Sequence, residues 1–499
     1  MEELKNNKCY KFVFLIFIFI SIIHIIYATY TMRGAYEDGS FFFLTMLQHM
    51  INEKISIIYD NFHTRFGVAF LSQIPVYLSN LYLGIDNKFS LLRIYSLTFF
   101  LFPFLALLWN FQLTKRTQRI DILFWNVFSY GILLVPCLVF PMVEITIGAI
   151  LHFVLWNYLA SDINYKKRDI IGIIFLLAMM FSTYEYVALL GLIIFVFHFQ
   201  YFLKQGVSLK NKCIKAIIGF GSLGASIYNI LFMLNTPDEG SEITRFVSEA
   251  YDFLPYIFNL NTLFTMSALA FLFIFAFIKK KCQYGHLYII ISVFIALLVK
   301  MFLNQQLSVY PMWEQHLRTI PCWALPIIFF VMGLKDVFSK SKDINQIKYT
   351  NFIIIVLVCS IFQTLWQCVH TYYWDKNIQY MKHELQKEES PLYIPAEHEE
   401  LSGFHNEHLR RYIWHGAYSA TSILFSDTYE QKTLLMVYDV QPDAGNVIER
   451  ADLFVDLEKG KMSVPFGAYI DIKNKFWDLT NVAIALDKYN EENNIKTNR

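Results

Sequence analysis

Long apolar runs recur along this chain and limit what it can fold into. Runs of roughly 17–22 residues, the length that an α-helix needs to cross the hydrocarbon core of a bilayer, lie between residues 11 and 371. Of the 499 residues, 56% are hydrophobic, and 48 are Phe and 31 are Tyr. Few soluble folds need so much apolar surface. The sequence therefore predicts a polytopic α-helical membrane protein.

The apolar runs predict about eleven transmembrane helices. They lie at 11–30, 89–112, 121–140, 144–161, 169–183, 186–203, 214–234, 262–279, 286–303, 318–337 and 350–371. Between 169 and 203 the pattern fits either one long helix or two short ones. A further apolar run at 66–84 carries Gln73, Pro75 and Asn80.

Basic loops decide how the run at 66–84 is placed. Lysine and arginine are concentrated in five loops, at 115–119, 166–168, 204–215, 279–281 and 335–348. Cytoplasmic loops of membrane proteins carry such an excess. All five loops share one side only if 66–84 does not fully cross, so we expect that run to lie in the outer interface. The N-terminus is then cytoplasmic; if 66–84 did cross, everything after it would invert.

This topology predicts two domains. Residues 1–371 form the transmembrane domain, in which 31–88 is a first outer loop with interfacial helices. Residues 372–499 form a small extracytoplasmic α/β domain, with a helix in WDKNIQYMKHELQKEE and strand-like runs in TLLMVYDV, ADLFVDL and GAYIDI. The net charge of +1 gives no reason to expect a nucleic-acid partner. The seven cysteines have neither metal-site nor disulfide-framework spacing.

Several polar side chains are expected on the outer face. Glu37 and Asp38 follow the first span at once, and a carboxylate at a membrane edge is costly and tends to be functional. The others are His63, Arg65, Glu144, Glu185, Glu314, His316 and Arg318. Carboxylates can take a proton from a hydroxyl or hold a metal ion, and Arg and His can bind a phosphate. The alternative roles are structural: solvation for the acidic pair, an ion pair for Glu144, helix capping or inter-helix contact for Glu185, and head-group anchoring for His63 and Arg65.

The order of these motifs resembles the GT-C superfamily of membrane glycosyltransferases, most closely the class of protein mannosyltransferases and lipid A aminoarabinose transferases. The resemblance covers roughly residues 10–340. YEDGSFFFL is similar to the acidic pair after the first span, FHTRFGVAFLSQIPVYL to the basic residue before an interfacial helix, and NKFSLLRIYSLTFF with LTKRTQR to the next span and its loop. Glu144 is in the place of the second acidic residue, and HLRTIPCWALP is similar to a late arginine motif.

The resemblance implies a transfer reaction and roles for individual residues. Asp38 is best aligned to the catalytic aspartate, with Glu37 or Glu144 assisting it. Arg65 and Arg318 would stabilise the departing phosphate, and His63, Glu185, Glu314 and His316 are the other candidate substrate contacts. Glu185 is in the place where many relatives have a lysine for the donor phosphate, so the donor or acceptor is expected to differ.

These expectations define the first of three functional hypotheses. The first is a glycosyltransferase of a bacterial inner membrane, active in cell-envelope polysaccharide biosynthesis, that moves a sugar from a polyprenyl-phosphate donor to a glycan, lipid or protein acceptor. The sequence specifies no metal site, and a need for Mg²⁺ or Mn²⁺ stays open. The second hypothesis is a transporter or flippase of a lipid-linked saccharide, although no inverted repeat supports it. The third is a non-catalytic membrane scaffold for the C-terminal domain.

Overall fold

The structure is a computed structural model that describes the chain in segments. The described residues are 7–36, 38–51, 66–135, 143–182, 188–204, 206–235, 312–338, 346–387, 389–393, 415–426, 433–434, 437–440, 448–451, 453–463 and 469–492. Within them the chain is mostly helical, and all of its strands come after residue 391.

The described helices are α1 (Lys8–Tyr30), α2 (Asp38–Met50), α3 (Phe66–Leu83), α4 (Lys88–Thr117), α5 (Ile120–Phe128), α6 (Val143–Ala160), α7 (Lys167–Met180), α8 (Ala188–Phe202), α9 (Leu209–Asn235), α10 (Met312–Phe338), α11 (Gln346–Lys387), α12 (His415–Phe425) and α13 (Thr480–Glu492). A 3-10 turn (Arg33–Ala35) precedes α2, and a π-helical turn (Ser129–Leu134) continues α5. The strands are β1 (Leu392–Tyr393), β2 (Thr433–Leu434), β3 (Val437–Val440), β4 (Ile448–Ala451), β5 (Phe454–Asp456), β6 (Lys461–Ser463) and β7 (Tyr469–Asp471).

Helices lie at the predicted spans wherever the structure describes them. The predicted spans at 262–279 and 286–303 fall outside the described residues. The stretch 169–203, which fitted one helix or two, forms the two helices α7 and α8. Each of the three predicted strand runs contains a strand, since β2 and β3 lie in the first, β5 in the second and β7 in the third.

Four described helices are long and apolar enough to cross a membrane. They are Lys8–Tyr30, Lys88–Thr117, Leu209–Phe232 and Phe352–Lys387. α1 leaves a row of large apolar side chains uncovered by the protein, among them Phe12, Leu15 and Phe19 at more than 60% exposure. Such exposure is compatible with lipid contact, because a soluble surface rarely presents so large an apolar patch. The fold is that of a helical protein with several membrane-compatible helices, while the number of spans stays a prediction.

The chain divides into two compact units. Unit one comprises Met1–His24, Phe62–Val68 and Leu101–Gln367, and unit two comprises Ile25–Asn61, Ala69–Phe100 and Cys368–Arg499. The predicted domain boundary after residue 371 falls within α11, a helix of 42 residues. That helix contains neither glycine nor proline, so nothing local ends it where the sequence turns from apolar to polar. The two predicted domains stay a prediction.

In unit one, small residues let α8 and α9 pack closely. A Cβ on Gly191 would lie 2.3 Å from Ser226 Oγ and 2.9 Å from the backbone oxygen of Ser222. Ser226 Oγ donates to the backbone oxygen of Ala188 at 2.7 Å. Close backbone approach through glycine and serine is typical of packing between membrane helices.

One end of unit one carries a network of ion pairs, which we call the basic end. Arg119 binds Asp121 and Asp336 with nitrogen–oxygen distances of 2.7–2.9 Å, and Lys335 also binds Asp121. Three further ion pairs belong to the same end: Arg116–Asp169, Lys204–Asp162 and Lys215–Asp162. The basic loops at 115–119, 166–168, 204–215 and 335–348 therefore meet at one end, to the extent that the structure describes them. The loop at 279–281 lies outside the described residues, and which side of the membrane this end faces stays a prediction.

Unit two combines a helical hairpin with the small sheets. Thr98 Oγ1 on α4 donates to the backbone oxygen of Ser72 on α3 at 3.3 Å. Strands β5, β6 and β7 form an antiparallel sheet in that order, β3 pairs with β4, and β1 pairs in parallel with β2. The sheet side chains Met462 and Ile470 are fully buried, as are Val482 and Leu486 of α13. These residues form an apolar core beyond α11.

Candidate functional site

The predicted site residues are described to different extents. Asp38 is the first residue of α2, Glu144 is the second residue of α6, and Glu314, His316 and Arg318 lie in the first turns of α10. For these five the structure describes only the backbone. The remaining four, Glu37, His63, Arg65 and Glu185, lie outside the described residues. Asp38 belongs to unit two, whereas Glu144 and Arg318 belong to unit one. Convergence of the nine residues on one site therefore stays a prediction.

Asp38 is preceded by a tightly wound segment, residues 31–36, which we call the acidic-pair turn. Met32 adopts a left-handed conformation, with φ of 56°, and this ends α1. Successive backbone hydrogen bonds join Ala35 N to Met32 O at 3.0 Å, Tyr36 N to Arg33 O at 3.1 Å and Gly39 N to Tyr36 O at 3.1 Å. The backbone is thus hydrogen-bonded on both sides of the position where α2 begins.

Gly34 sets how closely this turn approaches α4. Its amide donates to Ser96 Oγ at 3.0 Å. A Cβ at this position would lie 2.8 Å from Ser96 Cα, a backbone atom that cannot rotate away. The turn can therefore take this position only with glycine at residue 34.

Arg33 is the charged residue of the turn, and it is buried. Its side chain is 1% exposed, and Nη1 donates to Thr371 Oγ1 of α11 at 2.8 Å. Burying a guanidinium is costly unless its N–H groups are hydrogen-bonded. Thr371 is one of the groups that satisfy it, and the bond joins the turn to the part of α11 that belongs to unit two.

An aromatic contact holds the turn on the same helix. Trp374 of α11 is 1% exposed, and its indole Nε1 donates to the backbone oxygen of Thr31 at 3.0 Å. The Trp374 ring also packs edge-on against Tyr36, with centroids 5.4 Å apart. A buried tryptophan that satisfies its N–H in this way contributes both apolar contact and orientation.

The far end of α2 is bound to the C-terminal sheet through Gln48. Its Oε1 accepts from Asp471 N at 2.9 Å and from Asn474 Nδ2 at 3.2 Å, and its Nε2 donates to Asp471 Oδ2. We call this group the Gln48 clasp. The helix that begins at Asp38 is therefore tied to elements on both sides: α11 and α4 through the turn before it, and β7 through its last turn.

This arrangement suits a carboxylate that must stay in place. A helix that begins at an acidic residue has the charge order that the helix dipole favours. A buried turn before it and a hydrogen-bonded last turn limit the movement of its backbone, which is what positioning a catalytic group requires. Among the described side chains, no group of three His, Cys, Asp or Glu residues could hold a metal ion.

No family model, no curated protein and no solved structure matches the chain.

Reasoning from the sequence missed the residues that hold the acidic-pair turn. Arg33, Gly34 and Gln48 were not singled out, although RGAYEDG places the arginine and the glycine directly before the acidic pair. A charged residue at the end of an apolar span was a usable signal for Arg33. Its partner Thr371 lies 338 residues away along the chain, and no local pattern identifies such a pair.

Proposed function

We propose that this chain is a glycosyltransferase that uses a polyprenyl-phosphate sugar and acts on the outer face of a bacterial inner membrane. The proposal includes about eleven spans, a cytoplasmic N-terminus and an extracytoplasmic C-terminal region. It rests on the order of motifs that resembles GT-C enzymes. The structural observation that supports it best is the buried acidic-pair turn, which fixes where the helix carrying Asp38 begins.

The proposed reaction is a direct displacement at the anomeric carbon. Asp38 takes the proton from an acceptor hydroxyl, and the oxygen forms a bond to the anomeric carbon while the bond from that carbon to the phosphate oxygen breaks. The polyprenyl phosphate leaves as an anion, so charge stabilisation matters more than a general acid. Arg65 and Arg318 are proposed to supply it. The configuration at the anomeric carbon inverts.

Contacts within unit two support a role for the C-terminal region. The C-terminal segment belongs to the same compact unit as Asp38, and it contacts α2 through the Gln48 clasp. In a transferase the region that binds the acceptor must lie near the base that deprotonates it. We therefore assign acceptor selection to the C-terminal region.

The proposal is tested by profiling glycans and lipid-linked saccharides of cells that express wild type, Asp38→Asn or Glu144→Gln at equal levels. We expect Asp38→Asn to lower transfer by about 10²–10⁴-fold, the usual loss when a general base is removed. One sugar should then be missing from a surface glycan, and its polyprenyl-phosphate donor should accumulate. Asp86→Asn is the matched control, because Asp86 is an exposed carboxylate of unit two whose side chain is 70% accessible.

The same profile separates the alternatives. A wild-type profile for Asp38→Asn would overturn the transferase and favour a scaffold. Loss of the saccharide from the outer face, with its donor retained on the inner leaflet, would favour a flippase. Loss of function in the Asp86→Asn control would mean that unit two is sensitive to any change of charge.

A further inference from the structure

The exposed face of α7 carries more positive charge than its neighbours neutralise. Lys166, Lys167 and Arg168 are all exposed at the basic end. Within the described part of the chain, none of the three has an acidic side chain at ion-pair distance. Lys115 is exposed in the same way on the neighbouring helix α4.

The acidic side chains that the structure describes at this end are already engaged. Asp169 binds Arg116 through two bonds of 2.6 and 2.9 Å, and it also accepts from the backbone amide of Lys166 at 2.8 Å. Asp162 holds both Lys204 and Lys215. Burial opposes ionisation of Asp162, but the hydrogen bonds from these two lysines outweigh it and hold its pKa below the ordinary value. Among the described residues of this end, these cations are therefore in surplus.

An apolar stripe on α7 begins next to these cations and continues along the helix. Ile171 and Ile174 are 67% and 59% exposed, and Phe175 is 41% exposed. Lys167, Ile171 and Ile174 are spaced four and three residues apart, so they share one face of the helix. From Arg168 to Phe175 the stripe extends about 10 Å along the helix axis. Trp109 of α4 borders it, with its ring centroid 6.4 Å from that of Phe175.

Two neighbouring helices bring further positive charge to this face. The Arg116–Asp169 pair places Lys115 of α4 beside the start of α7. In addition, Asn211 of α9, which precedes Lys212 in the sequence, donates from Nδ2 to the backbone oxygen of Ile163 at 3.0 Å. Lys115 and Lys212 are thus next in sequence to residues that bind the start of α7 and the loop before it.

We propose that this face of α7 binds one anionic phospholipid. Lys167 and Arg168, with Lys115, bind its phosphate, Lys166 adds to the positive potential around it, and its acyl chain lies on Ile171, Ile174 and Phe175. The charge surplus selects an anionic head group, and the exposed stripe next to it selects an acyl chain; a soluble anion would use only the first. Basic pockets between membrane helices are known to hold anionic lipids in this way. The proposal does not depend on the transferase activity.

The test uses the full chain purified in detergent and titrated with phosphatidylglycerol that carries brominated acyl chains, which quench nearby tryptophans. We expect saturable quenching that is largely lost in Trp109→Phe, the tryptophan at the stripe. Removing three charges in Lys166→Gln/Lys167→Gln/Arg168→Gln should raise the half-saturating lipid concentration by about a hundredfold at low salt. Brominated phosphatidylcholine should bind far more weakly, and added salt should weaken binding of phosphatidylglycerol.

Two further variants serve as controls. Lys459→Gln/Lys473→Gln/Lys488→Gln removes the same charge from exposed lysines of the C-terminal region and should leave binding unchanged. Lys166→Arg/Lys167→Arg keeps the charge and should bind as wild type does. If the glutamine triple is not monodisperse, Arg168→Gln alone replaces it, with a loss of about fivefold. Wild-type binding by the α7 variant, an equal loss in the C-terminal triple, or equal affinity for the two lipids would overturn the proposal.

Discussion

The basic end of unit one and the acidic-pair turn of unit two hold their buried polar groups in different ways. At the basic end, charge is balanced by charge, since Arg119 binds two carboxylates that are only 14% and 12% exposed. In the acidic-pair turn, the backbone is placed by hydrogen bonds between neutral groups, such as Trp374 Nε1 to Thr31 O and Gly34 N to Ser96 Oγ. The first arrangement secures helix ends, and the second sets the position of one short backbone segment.

The difference bears on what each region can do. In an ion-pair network every carboxylate is already paired with a cation, so its side chains have a structural role. The acidic-pair turn is held by backbone hydrogen bonds, a close glycine contact and a tryptophan. None of these contacts uses the side chains of the acidic residues that follow the turn. We therefore expect the residues after the turn to take part in chemistry and the basic end to stabilise the fold.

The largest effect is expected from Arg119→Ala. Its loss leaves Asp336 with only the Tyr201 hydroxyl and Asp121 with only Lys335 among their described polar partners. Removing one partner of a buried ion pair costs about 3–5 kcal/mol of unfolding free energy. This network is partly buried, so we expect a loss near the lower end of that range, measurable by reversible denaturation in detergent. Arg93→Ala is the control: Arg93 is exposed and lies over the Tyr30 ring at 5.7 Å, so its loss should cost about 1 kcal/mol or less. Equal losses for the two arginines would contradict the contrast between the regions.

A smaller but more local effect is expected from Gly34→Ala. The new Cβ would meet Ser96 Cα at 2.8 Å, so the turn must move away from α4. Overpacking of this kind costs about 1–3 kcal/mol. Gly224→Ala is the control, because its nearest neighbour would be Phe181 Cζ at 3.6 Å, an ordinary contact.

Gly34→Ala also separates position from stability. If the turn positions Asp38, sugar transfer should fall by more than the loss of folded protein accounts for. Transfer that falls only in proportion to folded protein would mean that the turn has a purely structural role.

The two regions also differ in how far they could be predicted from the sequence. The basic residues within each cluster, such as Lys115–Arg116 or Lys166–Lys167–Arg168, are adjacent in the chain. The positive-inside rule alone predicts that the clusters lie at one end. The helices follow from apolar length in the same way. The acidic-pair turn could be located, because Glu37 and Asp38 follow an apolar span directly. Its anchors could not, since Ser96, Thr371 and Trp374 come from distant segments and only the folded chain brings them to it.

Gln48→Ala tests the other attachment of α2. The clasp loses the acceptor for Asp471 N and for Asn474 Nδ2, and these donors are partly buried. We expect a loss of about 1–2 kcal/mol in unfolding free energy and faster hydrogen exchange at the Asp471 amide. Gln48→Glu keeps the shape but places a carboxylate against Asp471 Oδ2, so it should destabilise at least as much. Unchanged exchange at Asp471 in both variants would show that the clasp does not hold β7.

The smallest effect concerns pH and the C-terminal helix of unit two. Asp478 accepts from Thr480 Oγ1 at 2.6 Å and from Thr480 N at 3.1 Å, and it also binds Lys473 at 3.0 Å. The Thr480 hydroxyl bond, with these other donors, lowers the pKa of Asp478 from 3.8 to about 2. Because the folded pKa is the lower one, its stabilisation is complete above pH 4 and is lost as the pH falls towards 2. Asp478 is well exposed, so solvent limits the contribution to about 0.5 kcal/mol or less.

Asp478→Asn should therefore flatten the dependence of unfolding free energy on pH between 4 and 2, and leave it unchanged above that range. Thr480→Ala removes the hydroxyl but keeps the backbone amide, so it should flatten the slope only in part. An unaltered slope in Asp478→Asn would mean that the helix start is not held by this carboxylate. A change as large as that of Arg119→Ala would remove the contrast between the regions, because an exposed carboxylate of unit two would then matter as much as a buried ion pair of unit one.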